Sequence, residues 1–464
     1  MPNVVLFSVD TLRADHLGLS GHEGGISPGI DAFGREAVVF TDAWSQAPTT
    51  APSHMSIFTG LLPSVHGVAN IDSGSLRPLD RAIATFPELL FEHGYLTAGF
   101  HGGGNVDAAL GFGRGFYLYS QDLVSYNWML AHEEPRDLDA IRRWIELTRD
   151  RGRPFFLFLH HYVCHAPYLS APQAFRDRFL SEKVVPGLPS GIGDAARDEA
   201  LRELERVPPG RSKLDLIARM FAGRERAFWG GVDLGRADHR AHVMGLYDAG
   251  VAYADELFSK VLRLLKDEGV SDDTVVALVS DHGEEFFEHG GKEHGRLFAE
   301  HLRVPLIIRF PKRAGIGARV VRQTVGEFDV MPTILDYLGI PVPGPTQARS
   351  LLPLARGEGG SVPPVVSYGG PESGAVRIEQ DGFSYAEERY EGADVALFDT
   401  AKDAAEKVNL AAVRGDVVAR MREAAARQRE KDASVLGRLR GDGGGAPSVD
   451  GRLVERLKAL GYLE

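Results

Sequence analysis

Cysteine is almost absent from this chain of 464 residues, which contains only Cys164. A single cysteine excludes an intrachain disulfide and a cysteine-based metal site. Long apolar runs are also missing, since no stretch reaches the roughly 18 residues that predict a membrane span. The apolar run at residues 4–7 has no basic segment before it, so no secretory signal is predicted. We expect a cytoplasmic protein, or a periplasmic or secreted one if a leader has been removed.

Basic residues are fewer than acidic residues in this chain. The chain has 52 Lys and Arg residues against 64 Asp and Glu residues, a formal net charge of −12. A surface of that sign repels phosphate backbones and anionic lipid heads, so nucleic acid is not an expected partner. With 44% hydrophobic and 25% charged residues, the composition is that of a folded globular protein and excludes a fibrous or disordered chain.

Short apolar runs alternate with helical periodicity along most of the chain. Residues 4–9 and 274–280 form continuous β-rich runs, each followed directly by an acidic residue, Asp10 or Asp281. Further apolar runs lie at 155–159 and 306–310, and helical periodicity covers 82–93, 138–149 and 244–267. This alternation predicts an α/β fold with a large, doubly wound, mostly parallel sheet flanked by helices. Ligands of such sheets bind beyond the carboxyl ends of the strands, where Asp10 and Asp281 lie.

Two domains are predicted from the change in composition after residue 340. Proline and glycine become frequent near 341–345 and 357–364, and short strand-like runs follow. We expect a catalytic α/β domain at 1–350 and a small α+β domain with antiparallel strands at 351–464. A charged segment at about 190–230 is predicted to be a helical insertion, either a lid or a solvated helical pair. The second domain ends with a flexible linker at 441–445 and an amphipathic helix at 454–463.

The two acidic strand ends predict the halves of a metal site. Asp10 alone is equally typical of a helix N-cap. The second buried strand, however, is followed by Ser280-Asp281-His282-Gly283-Glu284, and an adjacent carboxylate and imidazole make a good pair of metal ligands. Because the ends of neighbouring parallel strands meet at one edge of a sheet, the two segments are expected to share an ion.

Residues 47–60 carry the string Ala-Pro-Thr-Thr-Ala-Pro-Ser-His-Met-Ser-Ile-Phe-Thr-Gly. It resembles the signature of the sulfatase family, within the alkaline phosphatase superfamily, which reads Cys/Ser-x-Pro-Ser-Arg and ends in Thr-Gly. Further family-like strings follow in order at 63–68, 280–290, 303–307, 329–333, 397–410 and 457–463. The resemblance covers nearly the whole chain, and it implies an alkaline-phosphatase-like fold and a hydrolase of ester bonds.

Thr50 stands where sulfatases carry the cysteine or serine that is oxidised to formylglycine. Threonine has a methyl group on Cβ and would not give that aldehyde. It can instead form a covalent phosphoryl ester that metal-activated water hydrolyses. We therefore expect a metal-dependent hydrolase of phosphate mono- or diesters. Three alternatives stay open: a sulfuric ester hydrolase that uses threonine directly, a phospho-headgroup transferase, and a degenerate relative that binds an anion without turnover.

Thr11 stands where sulfatases carry a further aspartate bound to calcium. The resemblance then leaves four ligands for one divalent metal: Asp10, Thr50, Asp281 and His282. This mixed oxygen and nitrogen set favours zinc or manganese, with calcium as the alternative. A second metal held by Asp238, His242 and His294 is not favoured, because helical spacing of the first two is typical of a solvated face.

Further side chains are candidates for contact with the substrate or its leaving group. His54 replaces the signature arginine, and either orients the nucleophile or packs on the sheet. Asn70 resembles the asparagine that binds a phosphoryl oxygen in related phosphodiesterases, although it could equally cap a turn. His165 matches the substrate-contacting histidine of the family. His294, favoured over Lys292, is expected to protonate the leaving oxygen of a small anionic ester.

Overall fold

A computed structural model describes most of the chain. The described residues are 1–70, 77–120, 137–180, 183–191, 225–342, 344–360, 362–369, 374–390 and 392–439, with the isolated positions 202, 206 and 223. Most of the predicted insertion, the predicted linker at 441–445 and the predicted terminal helix at 454–463 lie outside these residues. In the part of the chain that is described, no helix combines the length and the apolar character needed to cross a bilayer.

The described residues form fifteen strands interspersed with helices. The strands are β1 (Asn3–Val9), β2 (Val38–Trp44), β3 (Leu96–Phe100), β4 (Leu118–Ser120), β5 (Phe155–His161), β6 (Thr274–Val279), β7 (Glu285–Phe286), β8 (Lys292–Glu293), β9 (Arg303–Arg309), β10 (Arg319–Val321), β11 (Val325–Gly326), β12 (Val365–Tyr368), β13 (Val376–Gln380), β14 (Phe383–Ala386) and β15 (Ala396–Asp399). The helices are α1 (Pro28–Gly34), α2 (Thr50–Thr59), α3 (Pro63–His66), α4 (Phe86–Glu92), α5 (Asp137–Asp150), α6 (Gln173–Leu180), α7 (Ala237–Asp267), α8 (Ala299–Leu302), α9 (Val330–Leu338), α10 (Leu352–Arg356) and α11 (Gly415–Leu439).

A nine-stranded sheet forms the centre of the fold. Its strand order is β10-β2-β9-β6-β1-β5-β3-β4, and β11 also pairs with β2. The central strands β6, β1, β5 and β3 run parallel, whereas β9 is antiparallel to β2 and β6. Strands β1 and β6 are direct neighbours, with Ser8 opposite Val279. The predicted large, mostly parallel sheet is confirmed.

Strand β1 shows why helices cover both faces of this sheet. Successive side chains of a strand point to opposite faces. Val5, Phe7 and Val9 join one hydrophobic core with α1, α5 and α7, while Val4 and Leu6 join a second core with α2, α4 and α9. All five side chains are fully buried. Because β1 is apolar at every position, both faces need a helical layer, and the doubly wound arrangement follows.

A second, antiparallel sheet has the order β12-β13-β14-β15. Helix α11 packs against it through Val417, Val418 and Met421. The predicted small α+β unit with antiparallel strands is therefore confirmed. Helix α10 packs its Leu352 and Ala355 into a core of the large sheet. The division of the chain at residue 350 stays a prediction.

A buried ion cluster joins the small sheet to the segment that precedes β9. The Arg377 guanidinium of β13 donates to Glu379 at 2.6 Å and to Glu406 at 2.5 Å, and all three side chains are buried. Arg377 also donates to the Leu297 carbonyl oxygen at 2.7 Å, and Glu406 accepts from the Ala299 backbone N–H at 3.0 Å. Buried charges are stable only when paired and hydrogen-bonded, so these contacts fix residues 297–299 against the small sheet.

We expect Glu406→Ala to lower the free energy of unfolding by about 3–5 kcal/mol, because the Arg377 charge stays buried with one carboxylate fewer. Urea unfolding followed by tryptophan fluorescence measures this change. Glu423→Ala is the control, since Glu423 forms an exposed ion pair with Arg427 and its removal should hardly move the midpoint. Equal midpoints for the two variants would contradict a stabilising role of the buried cluster.

Candidate active site

The carboxyl ends of β1, β5 and β6 bring three polar side chains together. Asp10 directly follows β1, Asp281 lies two residues after β6, and His160 is opposite Ser8 near the end of β5. Asp10, Asp281 and His160 are fully buried. His160 Nε2 lies 3.4 Å from Asp10 Oδ2. Three adjacent strands of an apolar sheet therefore end in one compact polar cluster.

Helix α2 begins at this cluster with Thr50. The Thr50 hydroxyl lies 3.3 Å from Asp10 Oδ2 and 3.4 Å from His282 Nε2. Every residue of α2 is buried, so packing fixes the position of the helix. The N-terminus of a helix carries partial positive charge and stabilises a neighbouring anion. The local fold thus places a hydroxyl beside a buried carboxylate and a buried imidazole.

Three separations among the four predicted metal ligands are typical of coordination to one ion. Thr50 Oγ1 is 3.3 Å from Asp10 Oδ2 and 3.4 Å from His282 Nε2, which is in turn 3.4 Å from Asp281 Oδ2. Bonds of about 2.0–2.1 Å to a tetrahedral ion place neighbouring donor atoms about 3.3–3.4 Å apart. The donor atoms of Asp10, Asp281 and His282 all lie within 4.8 Å of one another.

Two carboxylate oxygens in this cluster have no hydrogen-bond partner among the described residues: Asp10 Oδ1 and Asp281 Oδ2. The other oxygen of Asp281 accepts from the backbone N–H of Thr11 at 3.2 Å and of His282 at 2.9 Å. His282 Nδ1 lies 2.9 Å from the Gly283 carbonyl oxygen, and donation there leaves the lone pair on Nε2. Buried anionic oxygens without donors require a cation, so the residues present fit a divalent metal.

Burial and neighbouring charges set the protonation of these groups. Burial, followed by repulsion from Asp10, raises the pKa of Asp281 well above its ordinary range. Burial also acts to raise the pKa of Asp10, but interactions with His160 and His165 outweigh it and lower that pKa. Burial lowers the pKa of His282, so its imidazole is neutral at pH 7. A neutral imidazole is the form that binds metal.

Asn70 and His54 both contact the first turn of α2. Asn70 Oδ1 accepts from the backbone N–H of Ala51, the residue after Thr50, at 2.9 Å. His54 Nδ1 lies 3.0 Å from the Thr50 carbonyl oxygen and 3.4 Å from Asp281 Oδ2. Burial, followed by the charge of His160, lowers the pKa of His54 to about 3, so its imidazole is neutral. Contact of Asn70 or His54 with a substrate stays a prediction.

His294 lies beside the predicted metal ligand His282, with 4.4 Å between the ring centroids. Its Nδ1 is 3.1 Å from Oε1 of the fully buried Glu284. Burial acts to lower the pKa of His294, but Glu284 outweighs this effect and raises the pKa to about 9. The imidazole is therefore protonated at neutral pH, which is the form that donates a proton.

His165 lies near His294, and Lys292 precedes His294 by two residues. The His165 ring centroid is 5.2 Å from that of His294, and His165 Nδ1 lies 2.8 Å from the Ala166 carbonyl oxygen. The Lys292 ammonium lies over the Trp229 ring, 4.3 Å from its centroid. The fold thus brings His165 and His294 into one group, and it places Lys292 against an aromatic ring.

This geometry agrees with the comparison to protein families. The family model described as Sulfatase matches residues 2–340, which is more than half of the chain. The chain belongs to the sulfatase family. The membership inferred from its sequence motifs is confirmed.

Curated relatives of this sulfatase-family chain include sulfatases, and a solved hydrolase shares its fold. It is 24% identical to an arylsulfatase of Clostridium perfringens over 88% of this chain and 90% of that protein. It is also 24% identical to an N-acetylglucosamine-6-O-sulfatase of Bacteroides thetaiotaomicron, over 77% and 71% of the two chains. The solved phosphonate monoester hydrolase of Agrobacterium radiobacter shares the fold, with a TM-score of 0.68, 21% identity and coverage of 95% and 96%. The sulfatase-family chain is thus a hydrolase of ester bonds with an alkaline-phosphatase-like fold.

Two residues of this sulfatase-family site had no predicted role. His160 Nε2 lies 3.4 Å from Asp10 Oδ2, and Glu284 Oε1 lies 3.1 Å from His294 Nδ1. His160 ends a buried apolar run, as Asp10 and Asp281 do, so the strand-end rule that predicts the carboxylates could have found it. The pairing of Glu284 with His294 depends on the path of the intervening loop, and no spacing rule predicts it.

Asp238 and His242, weighed as ligands of a second metal, make other contacts. Asp238 is exposed and forms an ion pair with Arg236. His242 is buried, with Nε2 3.1 Å from the Pro189 carbonyl oxygen. Neither belongs to a cluster of potential metal ligands within the described ranges. The structure does not bring these two side chains together with His294.

Asp281→Asn should stabilise the metal-free protein, because it removes one of two buried carboxylates that repel each other; the expected gain is on the order of 1–3 kcal/mol. With a chelator present, differential scanning fluorimetry should show a higher melting temperature for the variant than for the wild type. Added zinc or manganese should raise the melting temperature of the wild type only.

The exposed Asp177, on α6, provides the control for this comparison. Asp177→Asn should behave like the wild type both with chelator and with metal. A melting temperature of Asp281→Asn that rises with metal as much as that of the wild type would rule out Asp281 as a ligand.

Proposed function

We propose that this chain is a metal-dependent hydrolase of phosphate mono- or diesters, in which Thr50 attacks phosphorus and is transiently phosphorylated. The observation that carries the proposal is the buried Thr50 hydroxyl at the start of α2, 3.3 Å from Asp10 Oδ2 and 3.4 Å from His282 Nε2. A nucleophilic hydroxyl needs an activating group within such reach. The substrate class is a small anionic ester.

The side chain at position 50 favours phosphorus over sulfur. A formylglycine hydrate releases sulfate by elimination, and Thr50, with its methyl group on Cβ, does not supply that aldehyde. A phosphoryl-threonine is instead cleaved when water attacks phosphorus. The two sulfatase relatives keep a second candidate open, in which Thr50 attacks sulfur of a sulfuric ester directly.

The proposed metal ligands are Asp10, Thr50, Asp281 and His282, and their mixture of oxygen and nitrogen donors favours zinc or manganese over calcium. When bound there, a divalent cation lowers the pKa of the Thr50 hydroxyl and offsets negative charge on the substrate. Asp10 Oδ2 accepts a hydrogen bond from Thr50 and orients its oxygen. The backbone N–H groups of Thr11 and His282 in turn fix Asp281.

Thr50 and His294 carry out the two displacements. The Thr50 oxygen, having lost its proton to solvent, attacks phosphorus; the bond to the leaving oxygen breaks, and that oxygen takes a proton from His294. A water molecule then gives its proton to the neutral His294 and attacks the phosphoryl group. The bond between phosphorus and the Thr50 oxygen breaks, and the Thr50 oxygen takes a proton back from solvent. This releases phosphate, or a phosphate monoester when the substrate is a diester, and leaves His294 protonated again.

The remaining predicted residues orient the substrate. Asn70, held beside the nucleophile by its bond to Ala51, is proposed to bind a phosphoryl oxygen through its side-chain amide. His165, next to His294, is proposed to contact the substrate. Lys292 is the second candidate for the proton donor, and His294 is favoured because it adjoins the ligand His282.

Thr50→Ala should lower turnover of p-nitrophenyl phosphate or bis-(p-nitrophenyl) phosphate by at least about 1,000-fold, because the covalent route is lost. Most of the bound metal should be retained, since three ligands are unchanged. Steady-state kinetics and metal analysis of the same preparations measure the two effects.

Thr49→Ala is the matched control, because Thr49 precedes the helix and makes no side-chain capping bond. Its rates should stay within a few-fold of the wild type. Unchanged rates for Thr50→Ala would refute the covalent route, and faster turnover of p-nitrophenyl sulfate than of either phosphate by the wild type would favour the sulfuric ester alternative.

His294→Gln should slow the release of poor leaving groups more than that of good ones, because only a poor leaving oxygen needs a proton in the transition state. We expect turnover of phenyl phosphate to fall by about 100-fold or more, and that of p-nitrophenyl phosphate to fall much less. Lys292→Met should affect the two substrates equally. The reverse pattern, with the dependence on leaving group appearing in the Lys292 variant, would assign the proton donor to Lys292.

A further inference from the structure

His160 is a buried imidazole whose two ring nitrogens have no hydrogen-bond partner among the described residues. Its exposed fraction is 0%. A buried polar group without a partner costs free energy, and nearly all such groups in folded proteins bind a protein atom, a water molecule or an ion. The proposed function assigns no role to His160, although this residue lies at the centre of the site.

The side chains around His160 are of types that can bind a metal ion. Its Nε2 lies 3.4 Å from Asp10 Oδ2, and its ring centroid is 4.7 Å from that of His54. His54 Nδ1 in turn lies 3.4 Å from Asp281 Oδ2. Donor atoms of His54, His160 and Asp281 all lie within 4.8 Å of one another. Both 3.4 Å separations match neighbouring ligands of one tetrahedral ion, about 3.3–3.4 Å apart.

Asp10 and Asp281 each lie close to His282 and to one of the two histidines His54 and His160. Asp10 Oδ2 lies 3.4 Å from His160 Nε2, and Asp10 Oδ1 lies 3.9 Å from His282 Nε2. Asp281 Oδ2 is 3.4 Å both from His54 Nδ1 and from His282 Nε2. Carboxylates with imidazoles on two sides can bridge two cations, as they do in two-metal phosphoryl-transfer sites.

The hydrogen bonds of His54 allow it to act as a ligand. Its Nε2 lies 2.9 Å from the Ser8 hydroxyl oxygen, and its Nδ1 lies 3.0 Å from the Thr50 carbonyl oxygen. The Thr50 carbonyl oxygen can only accept, so in the metal-free protein Nδ1 carries the ring proton and donates it there. Ligation through Nδ1 requires this proton to move to Nε2, where the Ser8 hydroxyl oxygen accepts it, and the Nδ1 lone pair is then available on the side of Asp281. Ser8 then fixes the ring in the orientation that coordination needs.

We propose that His54, His160, Asp10 and Asp281 form a second divalent metal site, which shares both carboxylates with the first. Two imidazole nitrogens with carboxylate oxygens suit zinc or manganese and disfavour calcium. The inference deepens the proposed function, because it rests on the first cation and places another positive charge beside Thr50. This charge would offset that of a phosphate ester at a position where sulfatases carry the signature arginine.

Metal stoichiometry tests this site directly. The full chain, stripped by chelator, is saturated with manganese or zinc, freed of excess metal by gel filtration and analysed by mass spectrometry of the metal. The wild type should retain two ions per chain and His160→Gln one. Asp281→Asn should bind less than one ion at each of the two sites, because Asp281 contributes a ligand to both. In the manganese form, electron paramagnetic resonance should show a magnetically coupled pair in the wild type and an isolated ion in His160→Gln.

His161→Gln is the matched control, because His161 is the next residue of β5 and its ring lies 5.2 Å from Phe7 in the hydrophobic core. It should retain two ions. His54→Gln serves as a second test if His160→Gln does not fold, as judged by circular dichroism. One ion per chain in the saturated wild type, or two in a folded His160→Gln, would overturn the proposal.

The same preparations separate this inference from the proposed function. One ion in the wild type together with loss of turnover in Thr50→Ala would overturn the second site and leave the proposed function standing. Two ions, reduced to one by His160→Gln, with unchanged turnover in Thr50→Ala would support the second site and refute the nucleophile.

Discussion

Two carboxylates, Asp10 and Asp281, are held side by side in the interior by adjacent strands, and the rest of the site is arranged around their charge. Both are fully buried, so solvent screens their repulsion only weakly. The fold surrounds them with the N-terminus of α2 and with imidazoles from three segments. A cation bound at the proposed site would relieve a repulsion that folding itself creates, which would couple metal affinity to stability.

The sequence predicted those parts of the site that follow from strand geometry and from family motifs. Asp10 and Asp281 are predicted because each follows a continuous apolar run, and parallel strands end at a common edge. The place of Thr50 came from the string at 47–60, and the structure brings its hydroxyl to the same edge. The small antiparallel sheet was also predicted, from short strand-like runs after residue 364.

Other contacts depend on tertiary packing that no local pattern encodes. His160 contacts Asp10 because β5 is the neighbour of β1, although the two residues lie 150 positions apart in the sequence. Glu284 reaches His294 because the chain between them folds back through β7 and β8. His54 was predicted to orient the nucleophile or to pack on the sheet. Its ring contacts the Thr50 carbonyl oxygen, Asp281 and Ser8, and the choice between the two roles stays a prediction.

The cluster of Arg377, Glu379 and Glu406 has a consequence for how such a protein can diverge. It anchors residues 297–299, and the chain from Asp281 to that anchor carries both His282 and His294. All proposed metal ligands precede residue 300. The segment from Asp281 to residue 299 is nevertheless fixed at its end by contacts with the C-terminal sheet. The two parts of the molecule cannot be exchanged as independent modules between relatives, because a new C-terminal sheet would have to reproduce this anchor to keep His294 in place.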